Sequence, residues 1–155
     1  MIEELYHHFL ACNQQVSTDT RNISKNSIFF ALKGPNFNGN KFAKEALNNG
    51  ANFVVIDEAK YQIDNKTILV NDVLICLQEL SNFHRKKLKI PVLGITGTNG
   101  KTTSKELIGA VLSSQFKTLI TSGNLNNHIG VPLTLLKLKA HHEIAIIEMG
   151  ASKEG

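Results

Sequence analysis

Apolar residues recur at Ile2, Leu5, Tyr6, Phe9 and Leu10, the three- and four-residue spacing of a helix buried along one face. A polar stretch, STDTRNISKNS, separates this helix from IFFAL (28–32), an unbroken apolar run of strand length, and the turn-rich KGPNFNGN follows. From Lys41 the pattern is helical again and stops at Gly50, a residue suited to a C-terminal cap. NFVVID (52–57) and TILV (67–70) read as short strands. Asp72 is placed to cap a helix reaching about Lys87, with Val73, Leu77, Leu80 and His84 on one face.

After Pro91 the rhythm changes. VLGIT opens an alternation of strand, glycine loop, helix, strand (KTLIT, 117–121), helix (near 131–139) and strand (IAIIEM, 144–149). Continuous apolar strands alternating with helices predict a parallel sheet covered on both faces. The fold class expected is α/β: a small N-terminal α/β unit at 1–80, then the start of a parallel-sheet nucleotide-binding domain at 81–155. The sequence stops at EMGASKEG straight after a strand, having supplied three parallel strands where a doubly wound sheet has about five or more. It therefore reads as the front part of a longer protein, with IAIIEM expected to lack a neighbour and to be partly exposed.

Composition narrows the function classes. With 42% hydrophobic and 19% charged residues, a real core can form. Seventeen basic residues against 13 acidic give a net +4, too diffuse for nucleic acid but compatible with an anionic small molecule. The densest basic run, HRKKLK (84–89), reads as a solvated helix end. Cys12 and Cys76 form no C-x-x-C pair, which suits a reducing compartment. The N-terminus carries acids where a signal peptide carries bases, and no run approaches the roughly 18 apolar residues of a bilayer span, so a cytoplasmic protein is expected. His7, His8, His141 and His142 are adjacent pairs without metal-ligand spacing, and His84 is expected at the helix surface or core edge.

The chemistry lies in GTNGKTT (97–103). A glycine loop between strand and helix binds phosphate because backbone N–H groups converge on the anion and the helix N-terminus adds partial positive charge. Gly97, Thr98, Asn99 and Gly100 form the loop, Lys101 suits β- and γ-phosphates, Thr102 places a hydroxyl beside Mg²⁺, and Thr103 adds a second hydroxyl. The commonest pattern, G-x-x-x-x-G-K-[ST], requires glycine where this chain has Ile95, so the full pattern fails. The plainer alternative is a glycine turn that only caps a helix; the setting between a buried strand and a helix favours phosphate. Glu148 closes IAIIE at a strand's C-terminal end, where open α/β sheets bind ligands, and is the expected Mg²⁺ carboxylate. Between the two, GNLNNHIG (123–130) reads equally as a turn or as a lining of the phosphate site.

Taken together, these residues resemble the Mur ligases of bacterial cell-wall synthesis. GTNGKTT resembles the short loop of that family and of the related folylpolyglutamate synthases. STDTR (17–21), GNLNNHIGVPLTLL (123–136) and IIEMGASKEG (146–155) resemble the members that add D-alanyl-D-alanine. The resemblance covers nearly the whole chain but only the first third or so of a full-length ligase. It implies an N-terminal UDP-sugar-binding domain at 1–80 and the first part of the central ATP-binding domain at 81–155. Gly97 to Thr103 would hold ATP, Lys101 and Glu148 would be catalytic, Thr102 and Glu148 would hold Mg²⁺, and Asn126 or Asn127 would face the ATP or metal site. Ser17, Thr18, Asp19 and Arg21 fall where the family holds its UDP-sugar.

The implied reaction is ATP-driven amide formation between UDP-N-acetylmuramoyl-tripeptide and D-alanyl-D-alanine through an acyl phosphate, by an enzyme monomeric at full length. Adenine- and dipeptide-binding residues would lie downstream, so residues 1–155 alone are expected to be inactive. Two departures from the family pattern stand out. D-S-R is D-T-R here, which keeps a hydroxyl at Thr20, and F-D-G-H is Phe37-Asn38-Gly39-Asn40, which loses an acid and a histidine. The rival readings are a sister ligase or folylpolyglutamate synthase, and a non-catalytic nucleotide-binding module.

Overall fold

The structure, a computed structural model, describes residues 1–150; the ASKEG end of the IIEMGASKEG segment lies outside the described residues. The chain divides into two compact units, Met1–Leu80 and Ser81–Gly155, each built on its own parallel sheet.

In the first unit, helix α1 (Ile2–Ala11) leads into strands β1 (Val16–Ser17) and β2 (Ser27–Phe30). A short antiparallel ribbon, β3 (Lys33–Gly34) with β4 (Phe37–Asn38), precedes α2 (Ala43–Asn48), β5 (Ala51–Ile56) and β6 (Thr67–Leu69). The sheet order is β1-β2-β5-β6, parallel throughout, with Phe29 opposite Val54 and Val55 opposite Ile68. All four residues of β2 are buried, which is why IFFAL shows no polar alternation. Phe29, Ala46, Val54 and Ile56 form the core beside α2. Each large side chain of this kind contributes about 1.5–3 kcal/mol on burial.

Several local features depart from the sequence reading. The polar stretch that starts at Ser17 begins inside β1 (Val16–Ser17) and holds a 3-10 turn at Thr20–Asn22, because pairing with β2 fixes two residues too few to show a pattern of their own. The helix expected from Lys41 begins as a 3-10 turn at Gly39–Phe42 and becomes α2 at Ala43. Its end is as expected, with Gly50 at φ +107°.

The Asn38 and Asn40 amides do not leave their loop without contacts. Asn40 donates to Asp57 Oδ1 at 2.8 Å and accepts from the Asp57 N–H at 3.0 Å, and Asn38 donates to Glu58 Oε1 at 2.8 Å. Lys33 adds an ion pair to Asp57 at 3.1 Å. The two amides therefore tie the loop inward to the end of β5.

Helix α3 (Val73–Leu88) begins where expected, with Asp72 Oδ1 accepting from the Ile75 N–H at 2.8 Å, and it contains the boundary between the units. His84 is fully buried rather than at a surface, with Nε2 2.9 Å from the Leu138 carbonyl oxygen.

The second unit continues with β7 (Val92–Ile95), α4 (Lys101–Ser113), β8 (Thr118–Ile120), α5 (Gly130–Leu135) and β9 (Ile144–Glu148). Its sheet order is β7-β9-β8, again all parallel. This overturns the expectation for IAIIEM. The last strand is inserted between the other two, and Ala145 to Glu148 are buried. Parallel strands joined by crossover helices need not lie in chain order, so the strand at the end of the sequence is the central one. Leu138, Ala145 and Ile147 pack with Val92, Leu119 and Leu135 in this unit's core.

Candidate functional site

The β7-β9 register sets Ile95 opposite Glu148. The glycine loop that follows Ile95 and the acid that ends β9 therefore start from neighbouring strand ends. Gly97 has φ +145° and Gly100 φ +78°, conformations that cost residues with a Cβ about 1 kcal/mol or more. A Cβ on Gly100 would meet nothing within 4 Å, so the requirement there is one of backbone conformation alone.

Directly after Gly100, α4 begins, and the Ser104 N–H closes its first turn on the Gly100 carbonyl at 2.9 Å. The N–H groups of Lys101 to Thr103 are those a helix start leaves without intrahelical partners. Thr98, Asn99 and Thr103 are exposed around this start. The Lys101 ammonium donates to the Gly97 carbonyl at 2.6 Å, folded across its own loop.

Glu148 is only 2% exposed. Asn126 Nδ2 donates to its Oε1 at 2.9 Å, and the Thr102 hydroxyl lies 3.3 Å from both carboxylate oxygens. Lys105, one turn into α4 and 1% exposed, approaches Oε2 at 3.5 Å. The Asn126 amide, with the Lys105 charge and the Thr102 hydroxyl, outweighs burial and holds the Glu148 carboxyl below the usual glutamate range. It is a carboxylate at neutral pH. The Glu148 N–H in turn donates to Thr121 Oγ1 at 2.9 Å, which pins the end of β9 to the residue after β8.

Thr102 and Glu148 thus bring two hard oxygen donors together beside a helix N-terminus, a donor set that fits Mg²⁺. Asn126 joins them. Asn127 does not, because its Oδ1 accepts from the Ile129 and Gly130 N–H groups at 3.0 and 2.8 Å and so shapes the entry to α5. Among the described residues no group of three or more His, Cys, Asp or Glu gathers as a separate metal cluster.

The other candidate residues gather in the first unit. An open cleft of about 650 Å³ is lined by Thr18, Asp19, Thr20, Arg21, Phe37 and Phe42, among others. Phe37 and Phe42 stack with ring centroids 5.4 Å apart. Arg21 grips Asp19 through Nε–Oδ1 at 2.9 Å and Nη2–Oδ2 at 2.6 Å, yet its side chain is 87% exposed. Those hydrogen bonds lower the Asp19 carboxyl from an ordinary 3.8 to about 2. Ser17 is not among the lining residues. It is buried, and its hydroxyl bonds the carbonyls of Asp19 and Asn22 at 3.1 and 3.2 Å, bracing the turn from below.

Sequence reasoning did not single out Lys105, Thr121 or the Phe37–Phe42 pair. Lys105 lies four residues after Lys101 and so shares the loop-facing side of α4, but that spacing does not tell a buried lysine from a solvated one.

Fold and site together define an α/β protein of the phosphate-loop class. Two family models then cover the chain, the Mur ligase family catalytic domain over residues 14–94 and the Mur ligase middle domain over residues 95–155. The chain belongs to the Mur ligase family.

Among individual relatives, it is 42% identical over 142 residues to the UDP-N-acetylmuramoyl-tripeptide--D-alanyl-D-alanine ligase of Bacillus subtilis, covering 90% of this chain and 31% of that protein. The structure of UDP-N-acetylmuramoylalanyl-D-glutamyl-2,6-diaminopimelate--D-alanyl-D-alanyl ligase from Acinetobacter baumannii superposes with a TM-score of 0.83 at 36% identity, covering 91% of this chain and 32% of the other. The MurF ligase of Thermotoga maritima, solved in complex with ADP, gives 0.83 at 29% identity over 94% of this chain and 34% of the other. The chain thus spans about a third of the length of the relatives it matches. No helix among the described residues is long and apolar enough to cross a membrane.

Proposed function

We propose that this chain supplies the phosphate-binding and UDP-sugar-binding parts of a cytoplasmic ligase that joins D-alanyl-D-alanine to UDP-N-acetylmuramoyl-tripeptide at the expense of ATP. The observation that carries the reading is the Thr102–Glu148–Asn126 group at the C-terminal end of β9, next to the glycine loop. The relatives described above support the choice of substrates.

In this reading a carboxylate oxygen of the tripeptide attacks the γ-phosphorus of ATP and ADP departs, leaving an acyl phosphate. The dipeptide's amine then attacks the acyl carbon, the bond to phosphate breaks, and the nitrogen gives up a proton. The residues of this chain act by positioning and by charge. First-turn N–H groups of α4 donate to phosphate oxygens. Lys101 exchanges the Gly97 carbonyl for the β/γ end of the nucleotide. Mg²⁺ held by Thr102 and Glu148 would neutralise the charge of the phosphate oxygens. At the cleft in the first unit, the exposed Arg21 guanidinium suits a diphosphate, and the Phe37–Phe42 stack offers an aromatic surface to a uracil ring. Asp19 and the bracing Ser17 fix that guanidinium in place, and Thr18 lines the cleft beside it.

The test is Lys101→Ala in the product of the complete reading frame. Loss of one phosphate-stabilising charge should cost about 3 kcal/mol or more in the transition state, roughly a hundredfold in kcat, with the thermal unfolding midpoint unchanged. Near-normal ligation by that variant would remove the loop from the mechanism.

A further inference from the structure

Lys105 is a buried charged residue that the mechanism above does not use. A lysine is almost never fully buried unless it is paired, and this one is 1% exposed. Its ammonium lies 3.1 Å from Glu106 Oε1 and 3.5 Å from Glu148 Oε2. The two acids are not equivalent. The Glu106 side chain is 68% exposed, so water screens that pair, whereas the Glu148 side chain is 2% exposed. Lys101 does not share the task, since its ammonium is on the Gly97 carbonyl. Among the described residues, Lys105 makes the one ion pair to Glu148. Thr102 and Asn126, the other groups on this carboxylate, carry no net charge.

We propose that Lys105 is a built-in counter-ion for Glu148. It balances the buried charge and keeps the carboxylate directed at Thr102 while no metal is bound, and an arriving cation takes over part of that role. Lys105 is then a positioning residue that acts through Glu148. The take-over by metal rests on the reading of Glu148 as a Mg²⁺ ligand; the pairing itself does not.

The experiment is a double-mutant cycle on the purified product of the complete reading frame, using Lys105→Met, Glu148→Gln and the double variant, with thermal unfolding measured first without metal or nucleotide. Methionine keeps the length and apolar stem of lysine, so Lys105→Met chiefly strands the Glu148 charge. A Tm fall on the order of 10 °C is expected. Glu148→Gln removes that stranded charge, so the double variant should regain at least half of the loss. Addition of MgCl₂ with ADP should then raise the Tm of Lys105→Met by more than that of the parent protein. A double variant no more stable than Lys105→Met, including the case in which neither folds, would make Lys105 a packing residue and overturn the proposal. Equal Mg·ADP shifts in Lys105→Met and parent would overturn the take-over by metal. A coupled cycle with no response to Mg·ADP in any variant would uphold the counter-ion and count against the nucleotide reading instead.

Discussion

Arg21 and Asp19 show how one pair of side chains can be a turn and a binding element together. The Arg21 backbone N–H and guanidinium both bond the Asp19 carboxylate two residues back, which caps the 3-10 turn that the Asn22 N–H closes on the Asp19 carbonyl. The same ring of bonds holds the guanidinium at the cleft. Because Asp19 titrates at about 2 in the folded chain against an ordinary 3.8, its contribution to stability is fully present above pH 3.8 and fades as the pH falls toward 2. Arg21→Ala should move the Asp19 carboxyl upward from about 2 toward 3.8, with the residue-21 backbone N–H still holding it below that value, read by carbon-detected NMR titration of that group. A midpoint that stays near 2 would show that Arg21 is not the cause.

From the sequence, STDTR was legible as a candidate substrate site, but the roles within it were not, since Ser, Thr and Asp serve turns and ligands through the same hydrogen bonds. Lys105 was hidden for a different reason. A lysine in a helix that also carries Glu106 and Ser104 has the sequence context of a solvated face, and only the neighbouring β9 reveals the buried acid opposite it.

At the scale of elements, the run from Gly123 to Gly130 separates into distinct tasks. Asn126 reaches Glu148, Asn127 organises the first N–H groups of α5, and Gly130 lets that helix pass directly over Leu125. A Cβ on Gly130 would collide with the Leu125 backbone, which cannot move as a side-chain tip can. Gly130→Ala should therefore cost about 2–3 kcal/mol, seen as a lower midpoint in denaturant unfolding. An unchanged midpoint would mean that the 125–130 turn relaxes freely. The density of Asn and Gly in this run was plain in the sequence, but structural and binding roles require the same residue types there.

The longer strands and helices were legible from their apolar periods, whereas the two-residue strands β1, β3 and β4 were not, and Glu148 was legible as an acid that closes an apolar strand. The order β7-β9-β8 was not legible. Periodicity tells which residues are buried, whereas strand order depends on how far each crossover helix carries the chain. That order sets Glu148 opposite the end of the glycine-loop strand.

At the scale of the whole molecule, two units carry two different kinds of site. One holds an open cleft with a guanidinium and stacked aromatic rings, and the other holds a glycine loop facing a buried acid. Each site suits one end of the proposed reaction, a UDP-sugar in the first and ATP phosphates in the second. The amine acceptor is what separates this reading from a sister ligase or a folylpolyglutamate synthase. The most direct measurement supplies the product of the complete reading frame with ATP, Mg²⁺ and UDP-N-acetylmuramoyl-tripeptide, together with D-alanyl-D-alanine or single amino acids, and follows ADP release and product mass. ADP should form only with the dipeptide, and the product should be heavier than the tripeptide substrate by one dipeptide less one water. Ligation of a single amino acid in its place, or ATP consumption without any new amide, would contradict the proposed function.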